Sequence, residues 1–291
     1  MPISPTLSVL YSELVLSLYP ILIKAVNTNI FTQILARFLV FPMLALIFGS
    51  TYDFKSIWSS PYEAFVAILH GLLNLGHVAV SYISFKNLPV GSAISLFYLY
   101  PVFNIIAGAL MFNETLSLTA IALILVAFAG AYLVAMSHKY KDDPRQAKNH
   151  RMGVIMAILA AITETIIFVF VRSNTDAQAS PFYTINHLYP AGLAILLLYA
   201  IFNKNVIDTS TMNWSKLLGF NALLGFTGYL ARFFAIPRIP TIVFSLLSFI
   251  GVSFGYIWGI LFTGDEPTIK AMLGGGLIAA AIGALRYFGI S

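Results

Sequence analysis

Cysteine is absent from this chain and charge is scarce, with Asp, Glu, Lys and Arg together making up 9% of 291 residues. The first absence excludes disulfides, thiolate metal sites and a cysteine nucleophile, and leaves the redox compartment undetermined. The second excludes a soluble globule of this length, because too few polar side chains remain to cover its surface. Also missing are a phosphate-cradling GxxxxGK[ST] segment and an HExxH metal pair, and no Gly-x-Ser-x-Gly elbow accompanies the histidines. ATP-driven machinery and an intramembrane hydrolase are therefore the weaker readings.

What is present is apolar: 59% of residues are hydrophobic and the mean hydropathy is +0.88. A hydrocarbon layer about 30 Å thick needs about 20 helical residues. Spans of that length are expected near Leu7 to Val26, Ile30 to Gly49, Glu63 to Phe85, Val90 to Phe112 and Thr115 to Ser137. A second set follows near Arg151 to Arg172, Pro181 to Ile201, Trp214 to Ala235, Thr241 to Phe262 and Thr268 to Tyr287. The first span lacks a basic leader and a small-residue cleavage pattern, so it reads as retained. With no cysteine to staple them, the helices must hold together by packing, and Gly274, Gly275 and Gly276 with Ala279, Ala280 and Ala281 suit close backbone approach.

The two sets are related by a shift of 151 residues, the distance from Glu13 to Glu164. SYISFKNLPVGSAISLFYLYPVFNIIAGALMFNE, from Ser81 to Glu114, aligns without a gap on RFFAIPRIPTIVFSLLSFIGVSFGYIWGILFTGD, from Arg232 to Asp265. Pro89 falls on Pro240, Phe103 on Phe254, Gly108 on Gly259, and an acid closes each hairpin. Five helices per repeat is an odd number, so the second copy enters the membrane from the opposite side, as in many secondary transporters. The expected fold is all-α, with ten transmembrane helices in two inverted five-helix repeats around a central cavity. The first repeat is expected over 1–137, a basic linker over 138–150, and the second repeat over 151–291.

The net charge of +5 is concentrated in that linker, where Lys139, Lys141, Arg145, Lys148 and Arg151 crowd together. Basic residues beside spans signal the cytoplasmic side, not nucleic acid. Lys24, Lys86, Lys204, Lys216 and Lys270 fall on the same side, against Lys55, Arg172, Arg232, Arg238 and Arg286 opposite. The linker is then cytoplasmic and both termini lie outside.

The chain resembles the drug/metabolite transporter superfamily, specifically its ten-helix EamA-like branch. SYISFKNLPVGSAISLFYLYPVF followed by FNE carries the likeness: an aromatic residue, a Leu-Pro turn with a small residue, a Pro in the next helix, and a Glu at the hairpin. Glu13 in YSELVLSLYPILIK and Arg37 in ILARF also match family positions. The second copy departs, with Val252 for Pro101 and Asp265 for Glu114. The resemblance implies two helical bundles around a midplane cavity with the last helix of each repeat peripheral. It also implies cytoplasmic termini, opposite to the charge count.

Ionisable groups in hydrocarbon are costly, so those present should face a polar interior. His70, Asn74, His77 and Ser81 are spaced to form one stripe on the third helix. Interhelical hydrogen bonding is the bland alternative for each of them. Arg232 ends the matching face of the eighth helix, after Asn221, Gly225 and Gly228. Glu13 shares a face with Ser17, Pro20 and Lys24, and Pro20 frees a carbonyl that a cavity can tolerate. Arg37 lies too deep to snorkel, so Glu13 is its expected partner, with a substrate carboxylate or phosphate second. Glu164 repeats the acid and His187 lies where the Arg37 region repeats; two buried acids and several histidines could carry protons. Tyr98, Tyr229 and Tyr256 have polar handles that need partners within apolar spans. These eleven residues, Glu13, Arg37, His70, Asn74, His77, Tyr98, Glu164, His187, Tyr229, Arg232 and Tyr256, are the candidate substrate cavity.

The expected function is secondary, alternating-access transport of a small polar metabolite, an amino acid or related carboxylate, by an exporter or proton-coupled exchanger. Hydrophobic drugs or nucleotide-linked solutes are the alternative cargo, and an intramembrane enzyme or a non-transporting sensor the alternative class. No enzyme activity, cofactor, metal or nucleic-acid partner is expected. The expected setting is a bacterial inner membrane, with lipid, cargo and protons as partners and a monomer or homodimer as the assembly.

Overall fold

The computed structural model describes residues 4–113, 117–137, 144–203, 205–266 and 268–287. Among them the long helices are α1 (Pro5–Ala25), α2 (Ile30–Phe48), α3 (Pro61–Asn87), α4 (Val90–Met111) and α5 (Leu118–Ala135). The second half contributes α6 (Pro144–Ser173), α7 (Pro181–Phe202), α8 (Thr211–Arg238), α9 (Thr241–Thr263) and α10 (Ile269–Tyr287). Eight of these are long and apolar enough to cross a bilayer among the described residues, and α5 and α10 contain the shorter apolar stretches Ile121–Val134 and Ile269–Ala281. Residues 144–150 of the expected linker are the opening turns of α6, and 138–143, with Glu114 and Lys204, lie outside the described residues.

The two halves pack as an inverted pair. α3 lies along α6 and α1 along α8, contacts that exchange under the repeat, while α4 meets α9 and α5 meets α10 across the relation. Small residues make these approaches possible. Gly251, Gly255 and Gly259 recur every fourth residue on α9 and face α4, where a methyl on Gly255 would sit 2.7 Å from Ile94. Gly130 and Gly274 oppose each other across α5 and α10, each leaving room for the other's carbonyl. Of the glycine run expected to pack, Gly274 meets Gly130, Gly275 meets Tyr256, and Gly276 has open space.

Four helices are interrupted near mid-span, which the uninterrupted expected spans did not include. α1 breaks between Leu16 and Tyr19, α4 between Phe97 and Tyr100, and α7 between Leu188 and Pro190. Pro20, Pro101 and Pro190 each begin the following segment, where a missing N–H costs least. α9 breaks between Ser248 and Ile250 with no proline. That break, at Phe249, is the repeat equivalent of Tyr98, so the interruption is retained although Val252 replaces Pro101. α8 instead widens into a π turn over Asn221–Gly225, which turns Asn221 inward to accept the Tyr19 hydroxyl at 2.8 Å. Broken helices at membrane depth need a lined interior to satisfy their freed backbone groups.

Candidate functional site

Gly228 decides how close α8 comes to α1. A methyl there would lie 2.5 Å from Val15, so only glycine permits the contact that carries Arg232 to Glu13. Arg232 Nη1 donates to Glu13 Oε1 and Nη2 to Glu164 Oε1, both at 2.8 Å. The planar fork of a guanidinium suits two acceptors, and the three side chains are 0–3% exposed. The α4 break presents two further donors. Tyr98 donates to Glu13 Oε2, and Tyr100 donates to Oε1 at 3.2 Å while its ring lies 4.6 Å from the Arg232 guanidinium. His77 Nε2 stands 3.1 Å from the other Glu164 oxygen, and its Nδ1 is 2.9 Å from the Thr163 hydroxyl.

The expected Glu13 and Arg37 pair does not form. α8 takes Glu13 because Gly225 and Gly228 bring it against α1, whereas Arg37 on α2 faces the break in α7. There Nε and Nη2 donate to the Tyr189 hydroxyl at 3.1 and 2.8 Å. Four rings surround the guanidinium, Tyr229 at 4.4 Å, Tyr19 at 5.0 Å, Phe41 at 5.2 Å and Tyr189 at 5.8 Å. Among the described residues no ion pair involves Arg37, which is 2% exposed. Arg37, Tyr229, Tyr98, Glu164 and Arg232 share a cavity of about 20 Å³, room for about one water.

Six of the eleven expected residues thus form the charged cluster or its rim: Glu13, Glu164, Arg232, His77, Tyr98 and Tyr229, with Arg37 across the cavity. The others do not join it. His70 Nδ1 meets His187 Nε2 at 2.9 Å beside Phe170, on the side of the chain termini. Asn74 donates to the Leu188 carbonyl at 3.0 Å, which the Pro190 break leaves free. Tyr256 donates to Ala271 on α10 at 2.8 Å, so its hydroxyl serves helix packing. The stripe on α3 is therefore divided: His77 faces the acids, and Asn74 and His70 bind α7. Tyr189 and Tyr19, which no motif singled out, complete the setting of Arg37. GVSFG from Gly251 to Gly255 lies within α9 and not at a strand-to-helix turn, and Ser253 faces outward. Among the described residues no three of His, Asp and Glu gather as a metal site.

Paired carboxylates and arginines at the meeting of two inverted five-helix repeats are a carrier's arrangement. The EamA-like transporter family matches the chain over residues 4–136 and again over 151–287. The chain belongs to this family. Its EamA-like character makes it a multi-pass integral membrane protein and a transporter, with a small-molecule cargo and a lipid surround. Relatives are bacterial, which fits the inner membrane. The pseudopaline exporter CntI of Pseudomonas aeruginosa is 24% identical over 220 residues, covering 75% of this chain and 73% of the relative. The uncharacterized transporter YxxF of Bacillus subtilis is also 24% identical, over 66% of this chain and 60% of its own length. One solved crystal structure shares the fold with a TM-score of 0.68 at 14% identity, over 98% of both chains.

Proposed function

We propose that this EamA-like protein is a secondary carrier that moves a small metabolite bearing a carboxylate, such as an amino acid or a related acid, by alternating access. The observation that carries this reading is Arg37. A buried guanidinium without an anion is expensive, and ring faces and one hydroxyl offset only part of that cost. Arg232 holds both Glu13 and Glu164, so Arg37 is the buried cation of the cavity that touches no acid among the described residues. A cargo carboxylate reaching the cavity would complete it, and the nearby aromatic rings suit the apolar part of the same molecule. The cavity is too small for such a cargo, so loading requires the two halves to part, and the mid-span breaks are where they can rock. That a relative is named an exporter supports outward movement.

A second reading has its own observation. An apolar crevice of about 470 Å³ opens between α1, α7 and α8, lined by Leu7, Tyr11, Pro181, Leu230, Ala231 and Phe234. It lies one helix face away from Glu13 and supports a hydrophobic cargo that enters from the bilayer. Counterflow in proteoliposomes separates the two readings. Preloaded unlabelled solute should draw in labelled amino acid or dicarboxylate, and Arg37→Gln should abolish that exchange. Exchange of hydrophobic solutes alone would favour the crevice, and no exchange of either class would defeat the carrier reading.

A further inference from the structure

The two acids occupy equivalent places in the two repeats but have unlike partners. Glu13 receives Tyr98 and Tyr100 hydroxyls together with Arg232, so donors address both its oxygens. The residues matching those tyrosines in the second repeat are Phe249 and Gly251, which offer nothing. Glu164 is met instead by His77, whose own counterpart is Gly228.

The Thr163 hydroxyl oxygen lies 2.9 and 3.0 Å from the Leu159 and Ala160 carbonyls and 2.9 Å from His77 Nδ1, which anchors the imidazole beside Glu164. Both Glu13 oxygens accept hydrogen bonds, whereas the buried Glu164 Oε2 accepts none and lies 3.1 Å from His77 Nε2, so it is the carboxylate oxygen at which a proton disrupts no existing bond. From these contacts we propose that the transported proton is carried between His77 and Glu164, and not on Glu13. This rests on the carrier reading above.

The charged groups facing His77 are Glu164 on α6, Arg232 on α8 and Arg37 on α2, and from α4 its neighbour is the Phe97 ring at 6.0 Å. Glu13 on α1 and Arg232 cancel. The protonated His77 and Glu164 pair is neutral overall, so Arg37 leaves the site with one net positive charge, which one cargo carboxylate matches. When the proton leaves to water on the open side, the pair becomes a neutral imidazole and a carboxylate, and Arg37 is balanced without cargo. Cargo and proton therefore load together, leave together and travel in the same direction.

The test uses purified protein in liposomes containing a pH dye. The probe is whichever member of a labelled panel of amino acids and dicarboxylates the unmodified chain exchanges. The readout is protons moved per cargo molecule, a ratio that survives a fall in rate. Unmodified protein should move about one proton with each carboxylate in the same direction. Glu164→Gln should bring the ratio near zero, while Glu13→Gln should leave it near one. His77→Gln, which keeps both acids on Arg232, gives the same answer if Glu164→Gln fails to fold. Loss of the ratio in Glu13→Gln with retention in His77→Gln, or opposed movement of proton and cargo, overturns the proposal while leaving the carrier intact. A panel in which nothing exchanges overturns the carrier reading and this one with it.

Discussion

Glu13 and Glu164, one from each repeat, end 2.8 Å from the two terminal nitrogens of the same guanidinium, that of Arg232. The pair of acids obeys the repeat and the arginine does not, since its counterpart is Ser81, whose hydroxyl turns back to the His77 carbonyl. One side chain therefore ties α1 and α6 to α8 at the centre of the molecule.

Removing that tie leaves Glu13 and Glu164 buried without the guanidinium that both of them contact. Arg232→Met should cost about 3–5 kcal/mol, the usual penalty for breaking a buried pair from one side. Arg232→Lys should recover little, because one ammonium cannot reproduce the fork. Thermal unfolding in detergent reads both. The Glu13→Gln and Arg232→Met double variant should lose less than the sum of the singles, whereas additive losses would show that the contact contributes no coupling.

Gly251 holds a place beside Tyr98, where a methyl would lie 2.2 Å from the hydroxyl. Gly251→Ala should push Tyr98 off Glu13 and lower both transport and the unfolding temperature. Gly276→Ala is the matched control, because nothing lies within 4 Å of that position. Equal behaviour of the two variants would mean that the α4 and α9 approach does not position the site.

Apolar runs and the 151-residue shift were enough to read the architecture, because lipid constrains span length and composition more tightly than local propensity does. The acids and Arg232 were legible for the same reason: charge inside a span has few explanations. Which arginine meets Glu13 was not. Arg37 and Arg232 are alike as sequence, and the choice depends on helix rotation set by Gly225 and Gly228. Tyr189 and Tyr19 are not distinguishable in the sequence, because most aromatics in such a chain face lipid. The α9 break at Phe249 has no proline to announce it, although its register with Tyr98 was available from the repeat.

Asn74 looked like a cavity residue by spacing and binds the backbone of α7 instead. Asn74→Ala should leave the Leu188 carbonyl unpaired and cost about 1–3 kcal/mol of stability. Counterflow by the protein that remains folded should keep its apparent KM. A raised KM with unchanged unfolding temperature would return Asn74 to the transport path.

The absence of native cysteine makes orientation directly testable by single introduced thiols. Ser59 and Gln178 lie at the end of the bundle where α1 begins and α6 ends, and Lys216 and Lys270 at the end where α6 and α8 begin. The charge distribution predicts that an impermeant thiol reagent applied to intact cells labels Ser59→Cys and Gln178→Cys, and labels Lys216→Cys only after lysis. The reverse pattern would put the termini in the cytoplasm.

Tyr189 offers the sharpest separation of cargo binding from folding, because its hydroxyl accepts twice from Arg37 while its ring packs on Phe38 and Phe41 at 4.8 Å. Tyr189→Phe keeps that packing and takes away only the acceptor, leaving the guanidinium short of a partner in the empty cavity. A cargo carboxylate then gains more by arriving, so the variant should bind cargo more tightly, with KM falling by up to about tenfold for about 1.4 kcal/mol of released competition. Unfolding temperature without cargo should fall at the same time, and saturating cargo should restore part of it. Arg37→Lys moves the other way, because a compact ammonium reaches the cargo with one contact where the fork offered two, and KM should rise. If Tyr189→Phe instead raises KM as Arg37→Lys does, the hydroxyl is positioning Arg37 for cargo and not competing with it. If neither variant changes KM, Arg37 is a structural cation and the cargo anion must be sought elsewhere.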